Sequence, residues 1–225
     1  MRIVRPALPL LIAALTFPLT SRAARAPQTT FDIIIRGGTV YDGTGAPGRR
    51  ADIGIQGDRI AGVGDLTSVQ STSVIDASGL AVAPGFINML SWSNESLLID
   101  GRSQGEVREG VTTQIFGEGS SMGPLTPEMK RRMIEQMGDL KYPITWNSLS
   151  EYLRHLEEQG ISQNVASFIG ATTVRENVVG FDDVAPTPAQ LKQMQDLVRQ
   201  AMREGALGVG SSLIYAPASY AQLVS

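Results

Sequence analysis

The sequence predicts an α/β protein in two parts, a short all-β segment followed by a parallel strand–helix repeat. Three observations predict it. Residues 31–84 carry short β-branched runs separated by glycine turns. After Pro84-Gly85 the strand-like runs alternate with helical patterns, the order of a parallel α/β unit. Within that second part, Ser148-Leu-Ser-Glu151 and Thr187-Pro-Ala-Gln190 are capping boxes, which start helices where the alternation needs them.

The first part reads as follows. Phe31 to Ile35 is a β-branched run stopped by Gly37-Gly38. Thr39-Val-Tyr41 follows and ends at Asp42-Gly43. Ala51 to Gln56 alternates, with Ile53 and Ile55 on one face, and Gly57-Asp58 turns the chain into Arg59 to Val63, a hairpin signature. Ser73 to Asp76 is another short strand. Strands at this spacing suggest a small sandwich whose edges must be covered.

In the second part, Phe86 to Leu90 is apolar and continuous, like a strand buried on both faces. Asn94 to Glu109 reads as helix and Thr112 to Phe116 as strand. Thr126 caps a helix with Pro127 at its first position, along which Met129, Met133 and Met137 recur. The Ser148 helix buries Leu149, Tyr152, Leu153 and Leu156. Val165 to Ile169 is a third strand. The Thr187 helix buries Leu191, Met194, Leu197, Val198 and Ala201 and stops at Gly205, after which Ala206 to Val209 opens a fourth strand. Four strands in this order fit an open doubly wound sheet or half a (β/α)8 barrel, and periodicity does not separate the two. No Gly-x-Gly-x-x-Gly follows a strand at a helix start, so a dinucleotide fold has no support.

Composition removes several function classes. The chain of 225 residues is 42% hydrophobic and 18% charged, an ordinary globular balance. It has no cysteine, which excludes disulfides, thiolate metal sites and a cysteine nucleophile, and its one histidine limits imidazole ligation. The net charge of −3 argues against a nucleic-acid partner. Arg2 and Arg5 precede an apolar stretch from Ala7 to Leu19, and Ala23 and Ala24 offer small-residue cleavage positions. Residues 1–24 therefore read as a signal peptide directing export, to the periplasm or outside the cell. The stretch is short for a bilayer span, so no membrane association is expected once it is cleaved.

Specific motifs then carry a resemblance. Asp32-Ile-Ile-Ile-Arg-Gly-Gly-Thr-Val-Tyr-Asp-Gly-Thr-Gly45 and Ile75-Asp-Ala-Ser-Gly-Leu-Ala-Val-Ala-Pro-Gly-Phe-Ile87 are similar to the opening of amidohydrolase-superfamily proteins. Gly110-Val-Thr-Thr113 and the segment Gly205 to Ala221 narrow the resemblance to the D-aminoacylase, or N-acyl-D-amino-acid deacylase, branch. It covers residues 31–221. The resemblance implies a metal-bearing (β/α)8 barrel with a small β-sandwich built from both chain ends. Residues 31–84 would be the N-terminal part of the sandwich. Residues 85–225 would be the first half of the barrel, about strands one to four, with the family's later metal histidines and catalytic acid beyond Ser225. It implies hydrolysis of a non-peptide carbon–nitrogen bond in a small N-acyl amino acid or related amide, by water activated on a divalent metal, zinc above others.

In this superfamily two histidines one residue apart, at the end of the first barrel strand, hold that metal; alternate strand residues face the same way. Here Gly85-Phe-Ile-Asn-Met-Leu-Ser-Trp92 puts Leu90 and Trp92 at those positions and Asn88 in place of the usual acid. The family's bridging cysteine would fall in Gly117-Glu-Gly-Ser120, where Glu118 offers a carboxylate that can ligate a metal or cap nearby amides. The family's Gly-His after the third strand is Gly170-Ala171 here. Trp92 reads as a stacking platform for substrate or as an aromatic plug. Arg175 reads as a bidentate clamp for a substrate carboxylate or as a structural ion pair. His155 falls on the polar flank of its helix and reads as a solvated surface histidine. Two other readings stand beside the hydrolase: a non-catalytic barrel relative binding a small molecule around Trp92, and an inactive truncated product with open parallel edges.

Overall fold

The computed structural model describes residues 30–221; the expected signal peptide lies outside the described residues. Two compact units are present, one ending at Ala83 and the other beginning at Pro84.

The first unit is a five-stranded sheet built on β1 (Thr30–Val40). β2 (Arg49–Gln56) and β3 (Arg59–Gly64) form the expected antiparallel hairpin beside it, turned at Gly57. On its other side β4 (Gln70–Asp76) and β5 (Ala81–Val82) pair with β1 in parallel. Gly37-Gly38 does not end the first strand, as the sequence suggested. The register slips between Ile35 and Gly38, so the pair forms a bulge inside one long strand. The buried Asp52 carboxylate accepts from the Gly37 N–H at 2.8 Å and the Leu66 N–H at 3.2 Å, which gives the bulge's displaced amide a partner. Phe31 and Ile34 form the core of this sheet. The Phe31 ring lies flat on Gly54, where a Cβ would come within 2.7 Å of it.

In the second unit, β6 (Phe86–Asn88), β7 (Val111–Phe116) and β8 (Asn164–Ser167) form a parallel sheet in that order, and β9 (Ile169–Gly170) pairs in parallel with β10 (Val209–Gly210). The Phe168 N–H donates to the Phe116 carbonyl at 2.9 Å and the Leu207 N–H to the Ser167 carbonyl at 3.0 Å, which links the three-stranded sheet to the β9–β10 pair. The helices are α1 (Ser96–Ile99), α2 (Gln104–Arg108), α3 (Pro127–Gln136), α4 (Leu149–Gln159), α5 (Ala171–Val178) and α6 (Pro188–Arg203). Thr126 caps α3, and both expected capping boxes are formed, Ser148 with Glu151 and Thr187 with Gln190. The amides of Asn147 and Ser148 donate to Glu151 and hold its carboxyl below the usual range. The core gathers around Trp146, Tyr152, Leu156, Leu97, Met122 and Met129. The Trp146 indole N–H donates to the Met122 carbonyl at 2.7 Å and the Tyr152 hydroxyl to the Asn94 carbonyl at 2.6 Å, so both buried polar tips are satisfied.

Four expectations are corrected here. The helix read over Asn94 to Glu109 is two short helices, parted at Gly101, where a Cβ would lie 2.5 Å from the Gly160 carbonyl oxygen. The run from Phe86 to Leu90 is not buried on both faces: Phe86, Ile87, Met89 and Leu90 are each more than half exposed, because β6 ends the strand order on that side. On α6 only Ala201 is buried, and Leu191 is exposed. His155 is half-buried, with its ring 5.4 Å from the Trp146 ring, rather than free in solvent.

Candidate functional site

Parallel strand–helix units present their chemistry at the carboxyl ends of the strands. Here those ends lead into residues 89–93 after β6, 117–120 after β7 and 211–212 after β10.

At the end of β6 the Ser91 N–H donates to the Ile115 carbonyl at 2.9 Å, which carries the pairing with β7 past the strand itself. The Ser91 hydroxyl is buried and donates to Gln114 Oε1 at 2.6 Å. Gln114, fully buried, donates from Nε2 to Gln163 Oε1, and Gln163 donates in turn to the Val111 carbonyl at 3.0 Å. Three polar side chains thus satisfy one another in series. Because Ser91 turns inward, its neighbours turn outward: Leu90 is 54% and Trp92 62% exposed. Sequence reading missed this network. Its one local signal was a serine between two large apolar residues.

The loop after β7 is packed backbone against backbone. Gly117 has φ of 96°, and a Cβ there would strike the Phe168 carbonyl. A Cβ on Gly119 would meet Ser212 at 2.7 Å, and one on Gly170 would meet the Gly119 carbonyl at 2.5 Å. The first turn of α5 then fastens the loop: the Thr172 N–H donates to the Gly119 carbonyl at 2.9 Å, the Ser121 N–H to Thr173 Oγ1 at 2.8 Å, and the Gly170 N–H to Ser121 Oγ at 3.0 Å. Glu118 sits in this fixed loop with its side chain exposed.

Trp92, Glu118, Ser120, Met122 and Ser167 line one small crevice at these strand ends. The structure therefore brings two of the three sequence candidates together. Arg175 does not line that crevice. It is buried on α5, and its Nη2 donates to the carbonyls of Asp182 and Val184, both at 2.9 Å, which ties down the loop that follows the helix.

A resident metal needs three or four converging donors. Among the described residues no three His, Cys, Asp or Glu side chains converge in that way. Leu90 and Trp92 have no donor atom suited to zinc, and Glu118 is a single carboxylate. The described donor set does not fit a metal.

No protein-family model matches the chain. A D-aminoacylase of Alcaligenes xylosoxydans xylosoxydans is 35% identical over 202 residues, 88% of this chain and 41% of the relative. An N-acyl-D-aspartate deacylase of the same organism is 37% identical over 194 residues, 84% of this chain and 38% of the relative. Among solved structures, N-acyl-D-glutamate deacylase from Bordetella bronchiseptica, complexed with zinc and a phosphonate inhibitor that mimics the tetrahedral intermediate, matches with a TM-score of 0.76 at 31% identity, over 86% of this chain and 41% of that one. The mixed α/β fold is thus similar to that of amidohydrolase enzymes. Over more than four fifths of its length the chain is similar in sequence to members of their D-aminoacylase branch. It spans about two fifths of the length of the curated relatives it matches.

Proposed function

We propose that this chain is the N-terminal portion of an exported hydrolase that cleaves the non-peptide carbon–nitrogen bond of N-acyl amino acids. In this reading residues 1–24 are the signal peptide and residues 31–84 begin a β-sandwich. Residues 85–225 supply about the first four strands of a (β/α)8 barrel. The observation that carries the reading is the match in sequence and fold to deacylases of N-acyl-D-amino acids over more than four fifths of this chain. The parallel order of β6, β7 and β8, with loops gathered at their carboxyl ends, supports it.

Within that hydrolase Trp92 is our candidate for substrate contact and Glu118 for a metal contact, since both line the strand-end crevice. Any metal would have to draw its other ligands from outside the described residues. For Arg175 to clamp a substrate carboxylate, its guanidinium would have to leave the Asp182 and Val184 carbonyls.

A specific observation favours a second reading, in which the protein binds N-acyl amino acids without hydrolysing them. Leu90 and Trp92 turn an apolar surface outward where the resemblance puts a pair of metal-binding histidines. The deciding experiment is to purify the full-length protein, measure its metal content, and assay release of free amino acid from N-acyl-D-amino acids. Turnover with bound metal supports the hydrolase. Binding without turnover or metal supports the second reading, and absence of both binding and turnover overturns the two together.

A further inference from the structure

Trp92 is 62% exposed, and its indole N–H has no hydrogen-bond partner among the described residues. A large aromatic side chain of this kind more often buries its ring and pairs its polar tip. The chain on either side of it, by contrast, is closely tied. The Ser91 hydroxyl donates to Gln114 and accepts the Ser93 N–H at 3.2 Å. The Ser93 hydroxyl donates to Glu106 Oε1 at 3.0 Å. Gln163 closes the circuit: its Oε1 accepts from Gln114, and its Nε2 reaches Glu106 Oε2 at 3.5 Å. Ser91, Gln114, Gln163, Glu106 and Ser93 therefore form a hydrogen-bonded ring that begins and ends on the two neighbours of Trp92. Beyond the ring, the Ser93 carbonyl accepts the Leu97 N–H at 3.0 Å and the Asn94 carbonyl the Tyr152 hydroxyl at 2.6 Å.

The ring decides which way residue 92 faces. Ser91, Gln114 and Gln163 are all buried, so each polar atom in this part of the ring depends on the others for its partner. Turning the strand end over to bury the indole would carry the Ser91 hydroxyl outward, because neighbouring residues face opposite ways. Gln114 Oε1 would then be left unpaired where water does not reach.

We propose that Ser91 and Ser93 are positioning residues, whose hydrogen-bonded ring holds Trp92 outward as a pre-ordered contact for a ligand lying over the strand ends. The proposal rests on the reading of the chain as a hydrolase or binder of N-acyl amino acids in which Trp92 meets the ligand. Both hydroxyls are committed to the ring, so the serines act through the indole. The segment is ordered on folding rather than on binding, which removes that cost from the affinity.

The test is a double-mutant cycle read by calorimetry. N-acetyl-D-alanine, N-acetyl-D-aspartate and N-acetyl-D-glutamate are titrated into the full-length protein, its Ser91→Ala and Trp92→Ala variants, and the variant carrying both. Ser91→Ala is expected to weaken the tightest of the three ligands by about two- to tenfold. With Trp92 already alanine, the same change is expected to have no further effect. Ser93→Ala breaks one link at a half-buried residue. It is expected to repeat the pattern and covers the case in which Ser91→Ala does not fold. Ser91→Thr keeps the hydroxyl and is expected to keep the parent's affinity. Serine substitutions that cost the same with and without Trp92, or cost nothing, overturn the proposal, as does a Ser91→Thr variant as weak as Ser91→Ala. If Trp92→Ala binds like the parent, the positioning role is wrong while the hydrolase reading stands. If the parent binds none of the three, the functional reading itself fails and the positioning role falls with it.

Discussion

The Ser91 hydroxyl donates to Gln114 Oε1 over 2.6 Å, joining the end of one parallel strand to the interior of the next. Gln114 is wholly buried and passes its own amide hydrogen on to Gln163. The cost of breaking such a chain is set by the groups left behind. In Gln114→Leu the Ser91 hydroxyl and the Gln163 carbonyl oxygen lose their partner where water does not reach. Each orphaned group costs about 1–3 kcal/mol. The full-length variant should unfold at a clearly lower urea midpoint than the parent. An unchanged midpoint would show that the network contributes nothing to stability.

Metal binding is expected to follow the side chains at 90 and 92. Leu90→His with Trp92→His would put two imidazoles one residue apart on the outward face of the strand end. Elemental analysis of the full-length double variant should find more bound zinc per chain than in the parent. Equal content in the two proteins would mean that these positions do not govern the site.

Gly117 combines a positive φ with a hydrogen that faces the Phe168 carbonyl. Gly117→Ala would add left-handed strain of about 1–2 kcal/mol and a contact with backbone that has little room to yield. A fall in melting temperature of several degrees is the expected result, larger than for Gly138→Ala, where nothing lies within 4 Å of the added carbon.

Glu176 sets a pH dependence. Burial raises its carboxyl above the ordinary value of 4.5, against the opposing pull of Arg132. A raised acid contributes stability that is complete below the ordinary value and is lost as pH rises through the raised one. Between those two values the parent should lose stability with rising pH, and Glu176→Gln should lose less. Urea unfolding at stepped pH reads this directly. Parallel profiles for the two proteins would exclude Glu176 as the source.

What the sequence made legible was local. The hairpin turn at Gly57, the cap at Thr126 and both capping boxes depend on residues within a few positions of one another, and all are formed. The polar chain from Ser91 to Gln163 was hidden because its links join residues 23 and 49 positions apart. The exposure of β6 was hidden because an apolar run looks the same whether neighbours cover one side or both. Helix α5 escaped notice because Thr172, Thr173 and Val174 are β-branched and carry no helical signal of their own. Contacts from Thr172 and Thr173 to the loop at Gly119 and Ser121 make up for that lack. Trp92 and Glu118 could be chosen from motif positions alone, but that they share one crevice could be seen only in three dimensions.

The chain's two tryptophans sit in opposite surroundings: Trp146 is 2% exposed, with its indole N–H bonded to the Met122 carbonyl, and Trp92 is 62% exposed at the crevice. They form a pair of built-in optical reporters. Trp146 should emit at the blue end and be shielded from iodide, whereas Trp92 should emit further to the red and be quenched. A ligand entering the crevice would shield the red component and leave the blue one unchanged, and unfolding would shift the blue component to the red. One emission spectrum can therefore separate occupancy of the crevice from integrity of the core without any added label.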